Sequence, residues 1–330
     1  MNRMPSKTRR RFAAALAASP LATLPTLGQA QEWPAKPIRI LSPSAPGGST
    51  DTIARVLADR FAKALKVAVV VENRPGGTGS VSLDALARAP ADGYTLAVSF
   101  AGANVIYPLL NMKLPFDAQK AFAPVTLLAN TGNILVVHPS VPVRTLPEFL
   151  AWAKAQPKAP GYGSWGNGSG GHLAGEYLKL LTGVDLMHVP YRSASALTTD
   201  MIGGHMPVGF LDLANAMPQI RAGKLIGLAQ TGPTRATALT EVPTMVEQGV
   251  AFGVGIWFGL FAPAGTPRPI VERLHAETRE AMLAPELAER WLGVFGTKPA
   301  PAGPDEFART IRSDWDTWKS VIERGKITLE

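Results

Sequence analysis

The sequence predicts an α/β protein of two lobes, each a mostly parallel sheet flanked by helices. Three observations carry that expectation. Over residues 38–99, apolar and β-branched runs alternate with helical spacing in the order β-α-β-α-β, joined by short Gly- and Pro-rich connections. A second set of the same kind begins near Val125. The roughly 300 residues left after an N-terminal export segment exceed what one ordinary core serves.

That export segment is residues 1–30. Arg3, Lys7 and Arg9-Arg10-Arg11 precede a weakly apolar Ala/Leu stretch, Phe12–Leu27, and Gly28-Gln29-Ala30 supplies small residues for cleavage after about Ala30. Thr8-Arg9-Arg10-Arg11-Phe12 resembles a twin-arginine signal, and its basic charge equally suits an ordinary secretory one. A membrane anchor needs about 18 continuous apolar residues, which Pro20 and Pro25 interrupt. Removing the five basic residues lowers the formal charge from +8 to +3. With no basic run beyond the segment, nucleic acid is excluded as a partner. The chain has no cysteine, so disulfides and thiolate metal sites are excluded as well.

The opening unit of the fold is Ile38–Phe61. Ile38–Leu41 reads as a buried strand and Ser42–Gly48 as a turn. Ser49-Thr50-Asp51 is a cluster of N-cap residue types, followed by Ile53, Val56, Leu57 and Phe61 at helical spacing. A strand, a glycine loop and a helix start form a simple anion-binding device, because the first helical turn leaves N–H groups unpaired. Val67–Val71 is the second strand, Val81–Ala89 a short helix, and Tyr94–Ser99 the third strand, running into a loop at Phe100–Asn104. Ligands in such sheets sit beyond the carboxyl ends of the strands, here loops 42–51, 74–79 and 99–104.

In the second set, Val125–Leu128 and Ile134–Val137 are strands, and the capping box Thr145-Leu-Pro-Glu148 opens a helix to about Ala155. Gly161–Trp165 is a short strand and turn, and His172–Leu181 a helix. Leu186–Val189, Val208–Phe210 and Leu225–Gln230 are strands, with helices near Ala196–Ile202 and Ala214–Ala222 and a terminating glycine at Gly223. Val254–Phe261 is a long apolar strand and Ile270–Ala284 a helix. The last helix, Asp305–Arg324, places Phe307, Ile311, Trp315, Trp318 and Ile322 on one stripe, a packing face clamped over the first lobe.

The second glycine loop, Gly161–Gly171, contains two G-x-G-x-x-G matches. A dinucleotide fold also wants an acid at the end of the next strand, and Asp185 lies at the wrong end of Leu186–Val189. Neither loop carries a Walker lysine or a G-x-S-x-G serine. His172 and Glu176 share a helix face at a spacing that can hold a metal, but with no third ligand nearby they read as capping or packing residues. No cofactor is implied. What remains is a binder in which two helix N-termini, one per lobe, face an anion, with hydroxyls from Ser49, Thr50, Ser164 and Ser169. Four or five charge-assisted hydrogen bonds of about 1.5–3 kcal/mol each can supply the roughly 8 kcal/mol of micromolar binding after ordering costs.

A set of motifs in order along the mature chain resembles the tripartite tricarboxylate transporter receptors, the Bug family. These are Pro37-Ile-Arg-Ile with Ala45-Pro-Gly-Gly-Ser-Thr-Asp51, Val70-Val-Glu-Asn-Arg-Pro-Gly-Gly77, Ala91-Asp-Gly-Tyr-Thr-Leu96 and Phe122-Ala-Pro-Val-Thr-Leu127. They continue with Gly163-Ser-Trp-Gly-Asn-Gly-Ser169, His172-Leu-Ala-Gly-Glu176, Val189-Pro-Tyr-Arg192 and Ile220-Arg-Ala-Gly-Lys-Leu225. The resemblance implies a monomeric periplasmic binding protein of the type II, Venus-flytrap kind, without catalysis. It would capture a small organic acid and hand it to a tripartite tricarboxylate-type membrane transporter or to a sensor. It also implies lobe boundaries: residues 31–131 with 255–330, and residues 132–254.

By the same resemblance, the carboxylate is held largely by the backbone of the two glycine loops. The grip falls on Gly47, Gly48, Ser49, Thr50 and Asp51, and on Ser164, Gly166, Asn167, Gly168 and Ser169. Ser99, Ala101 and Asn104, and Tyr191, Arg192 and Ser193, supply side contacts. Ser44 stands where the family often has an aromatic residue, which makes that wall more polar or wider. Phe210-Leu-Asp-Leu-Ala214 offsets Asp212 by one position, so Asp212 either reaches the ligand or caps the helix starting near Ala214. The second reading of the whole chain is an exported α/β hydrolase using a serine and one of the histidines.

Overall fold

A computed structural model describes residues 33–110 and 113–328. The export segment expected over residues 1–30 lies outside the described residues. Pro34 onward forms one compact unit containing two five-stranded sheets, each with its own helices. The first sheet contains β1 (Ile38–Ser42), β2 (Val69–Asn73), β3 (Thr95–Phe100), β4 (Phe122–Thr131) and β10 (Ile256–Pro263), in the order β2-β1-β3-β10-β4. The second contains β5 (Asn133–Val137), β6 (Gly161–Ser164), β7 (Met187–Pro190), β8 (Val208–Asp212) and β9 (Ile226–Gln230), in the order β7-β6-β8-β5-β9.

The sheets are mixed. In the first, β10 runs antiparallel to both of its neighbours, β3 and β4. In the second, β5 does the same between β8 and β9. Both reversed strands are the ones that arrive from the other lobe. The chain leaves β4 at Thr131 and enters β5 at Asn133, with Gly132 alone between them. Gly132 has no room for a side chain, since a Cβ there would sit 2.0 Å from the Thr231 carbonyl oxygen.

The helices follow the apolar spacing. They are α1 (Ser49–Leu65), α2 (Ser80–Ala87), α3 (Tyr107–Leu109), α4 (Leu146–Lys154), α5 (Gly170–Thr182), α6 (Ala194–Ile202), α7 (Leu213–Arg221), α8 (Arg268–Leu283), α9 (Pro285–Phe295) and α10 (Pro304–Gly325). Thr145 caps α4 through its side chain, and Gly223 closes α7 at φ +66°. Two segments differ from expectation. Residues 100–104 are not a loop: Gly102–Ile106 is a π-helical turn that runs into α3, and it buries Ala103, Asn104, Val105 and Ile106. The helix α9 was not anticipated, because Ala284-Pro285 reads as the end of α8 when it also serves as the start of a new helix with proline in its first turn.

The helix α10 does more than cover the first sheet. Its buried face, including Phe307, Trp318, Val321 and Ile322, packs in one cluster with Trp257 and Phe261 of β10 and with Leu173 of α5. Along β10 the side chains alternate. Trp257 faces α10, where its Nε1–H donates to the buried Asp314 carboxylate at 2.7 Å. Ile256 and Phe258 point to the opposite face.

Burial raises the Asp314 carboxyl to about 6, partly opposed by the Trp257 donor. A carboxyl raised above its unfolded value lends stability while protonated, and that contribution disappears as pH rises through about 6. Asp314→Asn keeps an acceptor for Trp257 without the buried charge. It is expected to raise stability at about pH 8 by roughly 3 kcal/mol and to change little at about pH 3, below the unfolded value. Thermal unfolding of the two proteins across that range checks it.

Candidate functional site

The first glycine loop leaves β1 at Ser42 and turns at Gly47, whose φ of +85° suits glycine. The N-cap of α1 is Gly48, with extended backbone, not one of Ser49, Thr50 or Asp51. Those three residues form the first helical turn, and their backbone N–H groups have no acceptor among the described residues. The Thr50 hydroxyl bonds to Ser42 Oγ at 3.0 Å and to Ser44 Oγ, which ties the floor of the loop to β1.

Asp51 is 2 % exposed, and its carboxylate accepts from Gly47 N at 2.8 Å, Arg55 Nε at 2.9 Å and Asn73 Nδ2 at 2.8 Å. Burial pulls its pKa upward, but the hydrogen bonds from Arg55, Gly47 and Asn73 outweigh burial and hold it below the usual carboxylate range. Its charge is therefore neutralised inside the protein and does not oppose an incoming anion. Asp51→Ala strips the loop of these three acceptor contacts. It is expected to cost about 1–3 kcal/mol of stability, measured by urea unfolding.

The second loop has the same plan. After β6 the chain turns at Gly166 (φ +119°) and Gly168 (φ +69°), and Ser169 caps α5 by accepting from His172 N. The amides of Gly170 and Gly171, the first two residues of α5, have no acceptor among the described residues. The Trp165 ring lies across both: a Cβ on Gly171 would be 2.7 Å from it, and one on Gly170 3.4 Å. From β5, the Asn133 Nδ2 group donates to the Gly170 carbonyl at 2.9 Å.

The two loops share a wall. A cavity of about 390 Å³ is lined by Pro43, Ser44, Ser49 and Thr50, by Gly76, Thr78 and Gly79, and by Phe100 and Phe258. Ile256, two residues before Phe258 on the same face of β10, places its Cδ1 3.2 Å from the Cβ position of Gly170. The start of α5 thus abuts the strand whose Phe258 lines the cavity at the start of α1. Wider hollows of about 470 and 680 Å³ run along α1 and α8, but Arg60, which lines both, is held by Glu277 and Glu280.

The grip differs in one respect from the expectation. The N–H groups of the loop glycines are already bonded: Gly47 to Asp51, Gly48 to the Ala45 carbonyl, Gly166 to Ser164 Oγ and Gly168 to His172 Nδ1. The amide of Ser169 is bonded to the Gly166 carbonyl. These glycines shape the loops, and the free donors lie just beyond them, at Ser49–Asp51 and Gly170–Gly171. Ser164 is fully buried, and its hydroxyl belongs to the loop's internal network with Gly166, Ser169 and His188. Asn167 is exposed at the loop tip.

Of the expected side contacts, Ser99 lies at the end of β3 with a buried, unpartnered hydroxyl. Ala101 packs in the core beneath α10, and Asn104 lines a separate cavity of about 190 Å³ with Phe122, Ile311 and Arg312. Both turn away because their segment is helical. Tyr191 directs its hydroxyl to Asp200 at 2.8 Å, and burial together with that carboxylate raises it to about 12. Ser193 caps α6, and Arg192 is exposed beside the loop. Asp212 caps α7, accepting from Asn215 N at 3.0 Å and Nδ2 at 2.8 Å. Trp165 and Phe258, which bring apolar surface to the free amides, were missed. Trp165 stands inside a quoted motif, but Phe258 carries no signal apart from its strand.

This arrangement is that of a two-lobed α/β binding protein with a helix start from each lobe set against β10. Residues 53–327 match the family described as "Tripartite tricarboxylate transporter family receptor", and the chain belongs to that family. It is 32 % identical over 303 residues to protein BugT of Bordetella pertussis, covering 91 % of this chain and 93 % of BugT. A TctC solute-binding protein from Polaromonas, without ligand, superposes with a TM-score of 0.81 at 28 % identity, over 88 % of this chain and 99 % of that one. A protein of R. palustris with adipate gives 0.72 at 28 % identity (90 % and 99 % covered), and MatC from Rhodopseudomonas palustris with bound malate 0.69 at 29 % identity (88 % and 99 % covered).

The family is one of solute-binding proteins and not of enzymes. The local chemistry agrees. Ser164 and His188 approach to 2.7 Å, as in a hydrolytic dyad, yet Ser164 Oγ is buried and accepts from Gly166 N and Ser169 Oγ. Burial, with the neighbouring His172 and Lys179, lowers His188 to about 4, which makes it a weak base.

Proposed function

We propose that this receptor works in the periplasm after export and cleavage near Ala30, where it captures a small organic acid between its lobes. It delivers the acid to the membrane subunits of a tripartite tricarboxylate-type transporter, or presents it to a sensor. One observation carries the reading: two sets of free helix N-terminal amides, Ser49–Asp51 and Gly170–Gly171, border one strand, β10. Backbone donors fixed in this way favour a carboxylate and impose little on the rest of the ligand. The malate and adipate bound by solved relatives fit that demand. Ser44 in the first loop and the Trp165 and Phe258 rings select what lies between or beyond the carboxylates. Asp212 acts first as a cap. The lobes pair residues 31–131 with 255–330 and set them against 132–254, and the receptor acts as a monomer.

The test is native mass spectrometry of the freshly purified mature protein, followed by a thermal-shift screen of organic acids. A ligand at about 100 times its dissociation constant stabilises the fold by about 2.7 kcal/mol, a readily visible shift. An acid recovered unchanged and a shift with one class of carboxylate are the expected results. No shift with any carboxylate at millimolar concentration, or turnover of an ester panel, overturns the reading.

A further inference from the structure

We infer that His172 is the positioning residue of the second anion-binding loop, acting only as the neutral imidazole, so that the loop loosens when His172 takes up a proton. The inference rests on the site proposed above. His172 is 8 % exposed, and its Nδ1 accepts the buried Gly168 N–H at 3.0 Å. Gly168, in its left-handed conformation, sets the direction in which the chain enters α5 and presents the amides of Gly170 and Gly171. An amide N–H can only donate. A proton on Nδ1 therefore turns this contact into two donors facing each other, and the loop must move.

The rest of the residue is fixed. Its backbone N–H donates to Ser169 Oγ, its carbonyl accepts from the Tyr162 hydroxyl at 3.1 Å, and its ring stacks on His188 at 3.8 Å and 11°. On the other side of the stack, His188 Nε2 meets Ser164 Oγ, a hydroxyl that also has the Gly166 carbonyl as an acceptor. Gly168 N–H has His172 Nδ1 alone, so protonation of His172 breaks its bond.

The groups facing the pair are Glu176 and Lys179 of α5 and Tyr162 of β6, while the charge of Arg324, from α10 packed against α5, reaches Tyr177. Glu176 is itself bonded to Tyr162 Oη and to Lys179, at 3.0 Å each. Burial lowers His172 below the ordinary histidine range, with Glu176 opposing and Lys179 assisting. The ring is therefore neutral near pH 7 and charges only in acid.

The test compares wild type with His172→Asn, whose Oδ1 can take the place of Nδ1 but cannot be protonated, and with His172→Leu, which lacks the acceptor. Hydrogen exchange of the bonded amides of Gly166, Gly168 and Ser169 in the ligand-free proteins, at about pH 7.5 and about pH 5, reads the loop directly. Loop protection corrected for the intrinsic pH dependence should fall by about tenfold in acid for wild type, hold for Asn and be low at both pH values for Leu. The same ranking is expected in titrations with malate and adipate, where the Asn variant cancels protonation of the ligand itself. If neither acid binds any variant, the functional reading is at fault, and the exchange data still decide the role of His172. Equal protection of wild type and the Leu variant at about pH 7.5, or an acid loss shared in full by the Asn variant, overturns the inference.

Discussion

Gly48→Val is expected to weaken carboxylate binding by about a hundredfold or more while leaving the fold intact. Gly48 has an ordinary φ of −71°, so valine meets no backbone penalty there. The conflict is local: a Cβ would stand 2.6 Å from Ser44 Cβ and 2.9 Å from Ser44 Oγ. Ser44 is tied to Thr50, so the clash passes into the first turn of α1 and displaces the amides of Ser49, Thr50 and Asp51. Gly168→Val acts differently. Its φ of +69° costs a β-branched residue about 1–2 kcal/mol, and relief of that strain breaks the bond to His172. Calorimetric titration with the acid that stabilises wild type, alongside far-ultraviolet circular dichroism, checks both variants. Wild-type affinity in either shows that the loops do not hold the ligand as argued.

The largest effect on stability is expected at Trp257. It is 1 % exposed, packs edge-on against Phe307 with ring centroids 5.1 Å apart, and holds the buried Asp314 through its indole N–H. Trp257→Ala removes the largest fully buried side chain of β10 and leaves Asp314 without its donor. The expected cost is about 3–5 kcal/mol, read from urea unfolding. Because β10 carries Trp257 on one face and Phe258 on the other, the variant should also weaken ligand binding at temperatures where it remains folded. A loss below about 1 kcal/mol would show that the α10 contact is not the main support of β10.

Much of the fold was legible from residue spacing. The apolar strands, the capping box at Thr145, the glycine at Gly223 and the stripe of α10 each carry a local signal, and each lies where that signal puts it. Strand direction carries none. The antiparallel β10 and β5 follow from how the chain crosses between sheets, which periodicity cannot register. Residues 100–104 read as a loop because Gly102 interrupts helical spacing.

At the site, the glycine loops were legible, but the identity of the free donors was not. Whether Gly168 offers its amide to a ligand or to His172 depends on a side-chain contact within the first turn of α5. The histidine pair was still less visible. His172 and His188 are brought together only because β6 and β7 pair in parallel with α5 packed alongside.

The central claim is that amides from both lobes converge on one acid. The most direct measurement is a crystal structure of the mature protein with the acid identified by native mass spectrometry. The ligand's carboxylate oxygens should lie within hydrogen-bonding distance of Ser49–Asp51 on one side and of Gly170–Gly171 on the other, with Phe258 between them. A carboxylate bound elsewhere, or held by one of these helix starts with the other left facing solvent, would contradict it.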